Sequence, residues 1–148
     1  MEDTQSPINS MKIYFSGSIR GGRDHDEFYE LIINEISKQG EVLSEFVGDR
    51  SLTSYGTLNM TNSDIYSRDV SLIKEADIVI ADITVPSLGV GYEIGYAERM
   101  NKKIYCLYNQ NQIEDKRISA MIAGNPNCTI FVYKNKEEIS EIIKNIFK

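Results

Sequence analysis

Two carboxylates in this chain stand where a helix ordinarily carries apolar side chains. Between Gly89 and Asn101 the spacing predicts a helix with Val90, Ile94 and Ala97 on its inward stripe, and Glu93 falls within that stripe. A second amphipathic helix is expected over Ser63 to Glu75, with Ile65, Leu72, Ile73 and Ala76 facing inward and Asp69 among them. An ionised carboxylate held against apolar surface costs free energy unless it is paired or used. Two such groups near one pocket suit glycosidic-bond chemistry, in which one attacks or stabilises an oxocarbenium-like carbon and the other handles a proton. The plainer alternative for each is a structural ion pair with a core-edge Arg or Lys, or a cap on nearby backbone. Tyr14 has a plain alternative too, since a strand tyrosine is usually core with its hydroxyl at the rim.

The segment Gly17-Ser18-Ile19-Arg20-Gly21-Gly22-Arg23 offers different chemistry, because it leaves a strand and leads into a helix. Backbone N–H groups, the helix dipole and two arginines there attract an anion. A glycine-rich turn with solvated arginines is the alternative. The Lys-Ser/Thr pair of a Walker loop is missing, so a monophosphate suits the segment better than a triphosphate with magnesium. Gly89-Val90-Gly91-Tyr92-Glu93-Ile94-Gly95 has the look of a dinucleotide fingerprint in the wrong context. It lies in the second β-α unit, and the next strand ends at Tyr108-Asn109 with no acidic residue placed to bind a ribose. Gly91 and Gly95, four apart, are instead expected to let the helix pack closely on the sheet.

Composition narrows the partners. The chain has 148 residues, 41% of them hydrophobic, enough for one sizeable core, and a net charge of −6 that argues against gripping nucleic acid by general phosphate attraction. No apolar run approaches a bilayer span and Met1 to Ser10 lacks the apolar core of a signal peptide, so a soluble cytoplasmic protein, or a nuclear one in a eukaryote, is expected. The sequons at Asn59 and Asn127 carry no weight on that expectation. His25 is the only histidine, which removes His-based metal sites and Ser-His or Cys-His pairs. Cys106 and Cys128 read as reduced thiols in apolar strands. No metal and no cofactor are expected, and the chemistry must rest on carboxylates, hydroxyls and arginines.

The elements that must position these groups alternate along the chain. Residues 1–10 are expected to form a disordered tail and 11–148 one α/β domain. Strands are predicted at Lys12 to Gly17, Glu41 to Phe46, Asp77 to Ile83, Lys103 to Tyr108 and Thr129 to Tyr133. Helices are predicted at Asp24 to Lys38, Ser63 to Glu75, Gly89 to Asn101, briefly at Arg117 to Ala123, and at Glu137 to Phe147. Val47 to Asn62 is polar and long for an inert connection. The alternation implies a flavodoxin-like, Rossmann-like doubly wound α/β fold with five parallel strands in the order 2-1-3-4-5. Ligands of such sheets bind beyond the carboxyl ends of the strands at the switch point, here near Gly17 to Arg23 and Thr84 to Glu93.

Together, Tyr14-Phe15-Ser16-Gly17-Ser18-Ile19-Arg20-Gly21-Gly22-Arg23, the Asp69 helix, Pro86-Ser87-Leu88-Gly89-Val90-Gly91-Tyr92-Glu93 and Ser119-Ala120-Met121-Ile122 resemble the 2′-deoxynucleoside 5′-phosphate N-hydrolases, within the nucleoside 2-deoxyribosyltransferase family. The resemblance runs from about Lys12 to the C-terminus and leaves out the tail and the 47–62 loop. It implies that Glu93 attacks the anomeric carbon, that Tyr14 orients its carboxylate, and that Asp69 assists protonation of the departing base. It also implies a phosphate on the Gly17 to Arg23 loop and the Ser87 to Gly89 turn. Ser119 would reach in from a neighbouring subunit of a homodimer, and Ala120 and Met121 are expected at the substrate as well. Deoxyribosyltransferases of the family hold a free 5′-hydroxyl with a carboxylate where this chain has Ser87; Ser87, Arg20 and Ser119 offer donors to a dianion instead, which favours a nucleotide substrate. Phe46 is a departure, standing where the mammalian hydrolases carry a histidine. A deoxyribosyltransferase, a non-catalytic nucleoside monophosphate sensor and a flavodoxin-like redox carrier are the alternatives.

Overall fold

The structure is a computed structural model that describes residues 10–18, 26–44, 60–110 and 118–148. Period-2 alternation in Met11–Ser16 (β1) sends Ile13 and Phe15 to one face of the sheet and Tyr14 to the other. Ile78–Asp82 (β3) is buried at every position, as an unbroken Val/Ile strand covered on both faces should be. With Gly40–Val42 (β2), Lys103–Asn109 (β4) and Cys128–Tyr133 (β5), these strands form a parallel sheet in the order β2-β1-β3-β4-β5, as expected.

Helices cover both faces. Asp26–Ser37 (α1) and Glu137–Ile146 (α5) bury Tyr29, Ile32, Ile36, Ile139 and Ile143 against Phe15, Ile80 and Leu107. Asn62–Glu75 (α2) and Leu88–Arg99 (α3) bury Ile73, Val90, Ile94 and Ala97 on the opposite face, against Tyr14, Val79, Ala81 and Cys106. A short helix, Ala120–Ala123 (α4), contacts β5. A capping box fixes the start of α2: Thr61 accepts from the Asp64 N–H, and Asp64 accepts from the Thr61 N–H. The α3 turn closes at Asn101, whose φ of 61° lies in the left-handed region that asparagine tolerates.

Two sequence expectations are corrected. β2 ends at Val42 and does not run on through Leu43 and Ser44, because Ser44 turns inward and its hydroxyl takes both the N–H and the C=O of Phe15, each at 2.7 Å, replacing the strand ladder; the expected strand residues 45 and 46 lie outside the described ones. Gly91 and Gly95 do not sit against the sheet: a Cβ at either would meet nothing within 4 Å. Val90, Ile94 and Ala97 take the sheet-facing stripe, and the glycines lie round the helix from it on the exposed side. The helix before β2 is described from Asp26 onward; the expected residues 24 and 25 lie outside the described ones, as do the 47–59 part of the long loop and the tail apart from Ser10.

Candidate active site

The reversal of strand order between β1 and β3 leaves a crevice at their carboxyl ends, and one face of it is polar. Tyr14 and Ser16, two residues apart on β1, point to the same face and meet Glu93 on α3. The Tyr14 hydroxyl donates to Glu93 Oε2 at 2.8 Å, and the Ser16 hydroxyl donates to Oε1 at 2.5 Å. Each carboxylate oxygen is thus held by its own donor. Tyr14 and Ser16 are each only 1% exposed, so the pair is fixed by the core rather than by solvent.

Burial dominates the electrostatics. It pushes the Glu93 carboxyl up to about 7; the hydrogen bonds from Ser16 and Tyr14 oppose that rise, the nearby Asp69 charge adds to it, and Arg68 opposes it. The Tyr14 hydroxyl is raised far above its ordinary value, by burial first and then by the neighbouring Glu93 and Asp69 charges, so it stays protonated and remains a donor. Asp69, on α2, is also raised by burial, with Arg68 pulling the other way. Arg68 Nε lies 2.9 Å from Asp69 Oδ1, and Arg68 Nη1 donates to the Met60 sulfur at 3.2 Å. The ion-pair alternative for Asp69 is therefore present, while for Glu93 the partners are two neutral hydroxyls. This set can hold a partly desolvated carboxylate near neutrality beside a second acid, the requirement for nucleophilic displacement with proton transfer at a glycosidic carbon.

The other expected site residues fall in two places. Gly17 and Ser18 continue β1 toward the crevice. A Cβ on Gly17 would come within 3.1 Å of the Tyr29 ring and 3.2 Å of Phe15, so glycine is needed for that close approach. The Ser18 N–H, expected to face an anion, donates instead to the Tyr29 hydroxyl at 3.0 Å. Ile19, Arg20, Gly21, Gly22 and Arg23 lie outside the described residues. Ser87 caps α3 by accepting from the Val90 N–H at 3.2 Å, which puts Ser87 and Gly89 at the N-terminal end of the helix that carries Glu93.

Ser119, Ala120 and Met121 make up the second place. They border a cavity of about 800 Å³ between α3 and α4, which Ser87, Gly91 and Tyr108 also line and Glu93 does not. Ser119 caps α4 through the Met121 N–H at 3.2 Å, and the Met121 side chain is 82% exposed. Leu88, on the opposite rim, is 96% exposed.

The sequence reading missed several polar groups here. Ser16 was legible, since the strand period that points Tyr14 inward points Ser16 the same way. Arg68 was passed over as the sequence neighbour of Asp69. The buried Asp82 lies inside the strand predicted over Asp77 to Ile83, where its spacing marks it no further. It accepts from the Tyr133 hydroxyl at 2.7 Å and from the Thr84 N–H at 2.9 Å, while Thr84 accepts from the Asn109 N–H, tying together the ends of β3, β4 and β5. No sequence pattern brings Asp82 and Tyr133 together.

Comparison with known proteins agrees with the fold and with the family the sequence resembles. The chain is 42% identical over 141 residues to the 5-hydroxymethyl-dUMP N-hydrolase of Tetraodon nigroviridis, covering 93% of this chain and 97% of that protein. It is 40% identical over 142 residues to the protein of the same name from Esox lucius, with coverage of 93% and 97%. The solved structure of the Clostridium botulinum CMP N-glycosidase BcmB superposes with a TM-score of 0.62 at 22% identity, over 91% of this chain and 98% of that one, which is a likeness of fold. Residues 13–126 match the nucleoside 2-deoxyribosyltransferase family, and the chain belongs to that family.

Proposed function

We propose that this protein hydrolyses the N-glycosidic bond of 2′-deoxynucleoside 5′-monophosphates, giving free base and 2-deoxyribose 5-phosphate, as a cytosolic homodimer. The observation that carries the reading is the Glu93 carboxylate, half-buried and held at both oxygens by Tyr14 and Ser16, with Asp69 beside it. The names of relatives at 40% identity and above support the substrate class.

In the proposed cycle a Glu93 oxygen bonds to the anomeric carbon as the bond to the base nitrogen breaks, and the departing base takes a proton from the Asp69 carboxyl. Water then attacks the same carbon, gives its proton back to Asp69, and releases Glu93 as a carboxylate. Arg68 keeps Asp69 in place and tempers its affinity for the proton. The phosphate is held by the Gly17 to Arg23 loop and by Ser87, whose hydroxyl can donate to a phosphate oxygen while its lone pair caps α3. The exposed rim of Leu88 and Met121, beside the open stripe of Gly91 and Gly95, is the surface we assign to the partner subunit, whose Ser119, Ala120 and Met121 would complete the site.

The test is base release measured by chromatography from a panel of deoxynucleoside monophosphates including 5-hydroxymethyl-dUMP, the matching ribonucleotides and the free deoxynucleosides, with Glu93→Ala as control. Release from the monophosphates that vanishes in the variant is the expected result. Release only when a second base is added would replace the hydrolase with a transferase. Binding of a monophosphate without turnover would make the protein a sensor.

A further inference from the structure

Ser16 occupies a position with no evident need for a hydroxyl. It is 1% exposed, it pairs in the sheet with Ala81, and Val79, Ala81 and Cys106 pack on its face of the sheet. An alanine would fill such a place without leaving a buried polar atom to be satisfied. Among the described residues the partner of its side chain is Glu93 Oε1. That contact is the shorter of the two made to the carboxylate, and it comes from the element that also supplies Tyr14.

We infer that Ser16 is a positioning residue for the proposed nucleophile, holding Glu93 Oε1 so that the carboxylate is fixed in plane and favoured in its ionised form. The inference rests on the hydrolase reading for its kinetic consequences, but the hold on the carboxylate can be measured without turnover.

The physical argument follows from what each partner can do. A single hydroxyl facing a half-buried carboxylate leaves the second oxygen bare and the group free to rotate about its last bond. Donors on both oxygens stop that rotation. Both also stabilise charge that burial would otherwise suppress. The groups facing Glu93 are Tyr14 and Ser16 from β1 and Asp69 and Arg68 from α2, and of these Asp69 opposes ionisation while the other three favour it. In the proposed cycle the carboxylate is consumed in the first step and regenerated in the second. A donor on Oε1 therefore keeps the nucleophile ionised before attack and stabilises it as a leaving group when water cleaves the ester. Ser16 need not touch the substrate to do either, so its loss should appear in kcat and in pH dependence, with little change in KM.

The experiment follows the side-chain carboxyl carbons of glutamate by NMR across pH, with the Glu93 signal assigned by its absence in Glu93→Gln. In Ser16→Ala the Glu93 titration should move up by about one unit, since a hydrogen bond to a charged group is lost. Ser16→Cys, with a weaker donor of similar shape, should fall between the two. At neutral pH kcat for the best nucleotide should drop roughly tenfold in Ser16→Ala, with the acid limb of the rate profile moving the same way. A Glu93 titration that stays put in Ser16→Ala overturns the proposal. If Ser16→Ala does not fold, Ser16→Cys decides in the same way: an upward shift supports the role and an unchanged titration removes it. A wild-type protein that releases no base sinks the hydrolase reading by itself, and the titration still decides what Ser16 does to Glu93.

Discussion

A single carboxyl sets the pH behaviour at the residue scale. Below the ordinary glutamate value Glu93 is protonated in both folded and unfolded chains. Between there and about 7 the unfolded chain gives up its proton first, so stability falls as pH rises, and above 7 the deficit is constant. Glu93→Gln lacks that deficit. It should unfold at higher urea than the wild type at pH 8, by on the order of 1–3 kcal/mol, with the gap closing by about pH 4. The same substitution should cut base release roughly a thousandfold or more. For the wild type, kcat/KM should fall about tenfold per pH unit below about 7, because the attacking form is the carboxylate. A variant both more stable and inactive is what a strained functional carboxylate produces; a less stable one would mark Glu93 as structural.

The element that carries Glu93 begins at Ser87, so capping and substrate binding meet in one side chain. Ser87→Ala removes the cap and should cost about 1 kcal/mol of stability in urea unfolding. Ser87→Asp keeps an acceptor for the Val90 N–H, so α3 should retain its stability. A charge there repels a phosphate, and KM should rise for the monophosphate while that for the unphosphorylated deoxynucleoside does not. The turn leading to Ser87 is anchored by Asp82, Thr84 and Tyr133. Tyr133→Phe takes a donor from the buried Asp82 and should destabilise the fold by about 1–3 kcal/mol, measured by the same unfolding transition. Burial and the Asp82 charge both raise the Tyr133 hydroxyl, so it stays a donor throughout the working pH range.

For the whole molecule, the cavity beside α3 that Ser119 lines and Glu93 does not bears on assembly. If the partner's Ser119 completes each site, Glu93→Gln and Ser119→Asp chains damage different halves of the same dimer. Ser119→Asp keeps a cap on α4 and adds a charge against the phosphate. Each variant alone should be inactive or nearly so, while an equimolar mixture allowed to exchange subunits should recover about a quarter of the wild-type rate, because half the dimers carry one intact site in two. No recovery, with exchange demonstrated by mass, would place each site within one chain. Leu88→Glu should shift the sedimentation profile toward monomer.

Periodicity was enough to read the alternating architecture and strand order, and the inward placement of Tyr14, Asp69 and Glu93, because a helix stripe or a strand face is a property of local spacing. It was enough for Ser16 as well, two residues beyond Tyr14. Tertiary structure alone decided which groups meet: that Glu93 takes one hydroxyl on each oxygen, and that Asp82 finds Tyr133 from 51 residues away. It also decided that Gly91 and Gly95 face open space rather than the sheet. Local spacing fixes which way a side chain points from its own backbone. What it meets there depends on how helices and strands distant in sequence are brought together, and on how deeply that packing buries the charge.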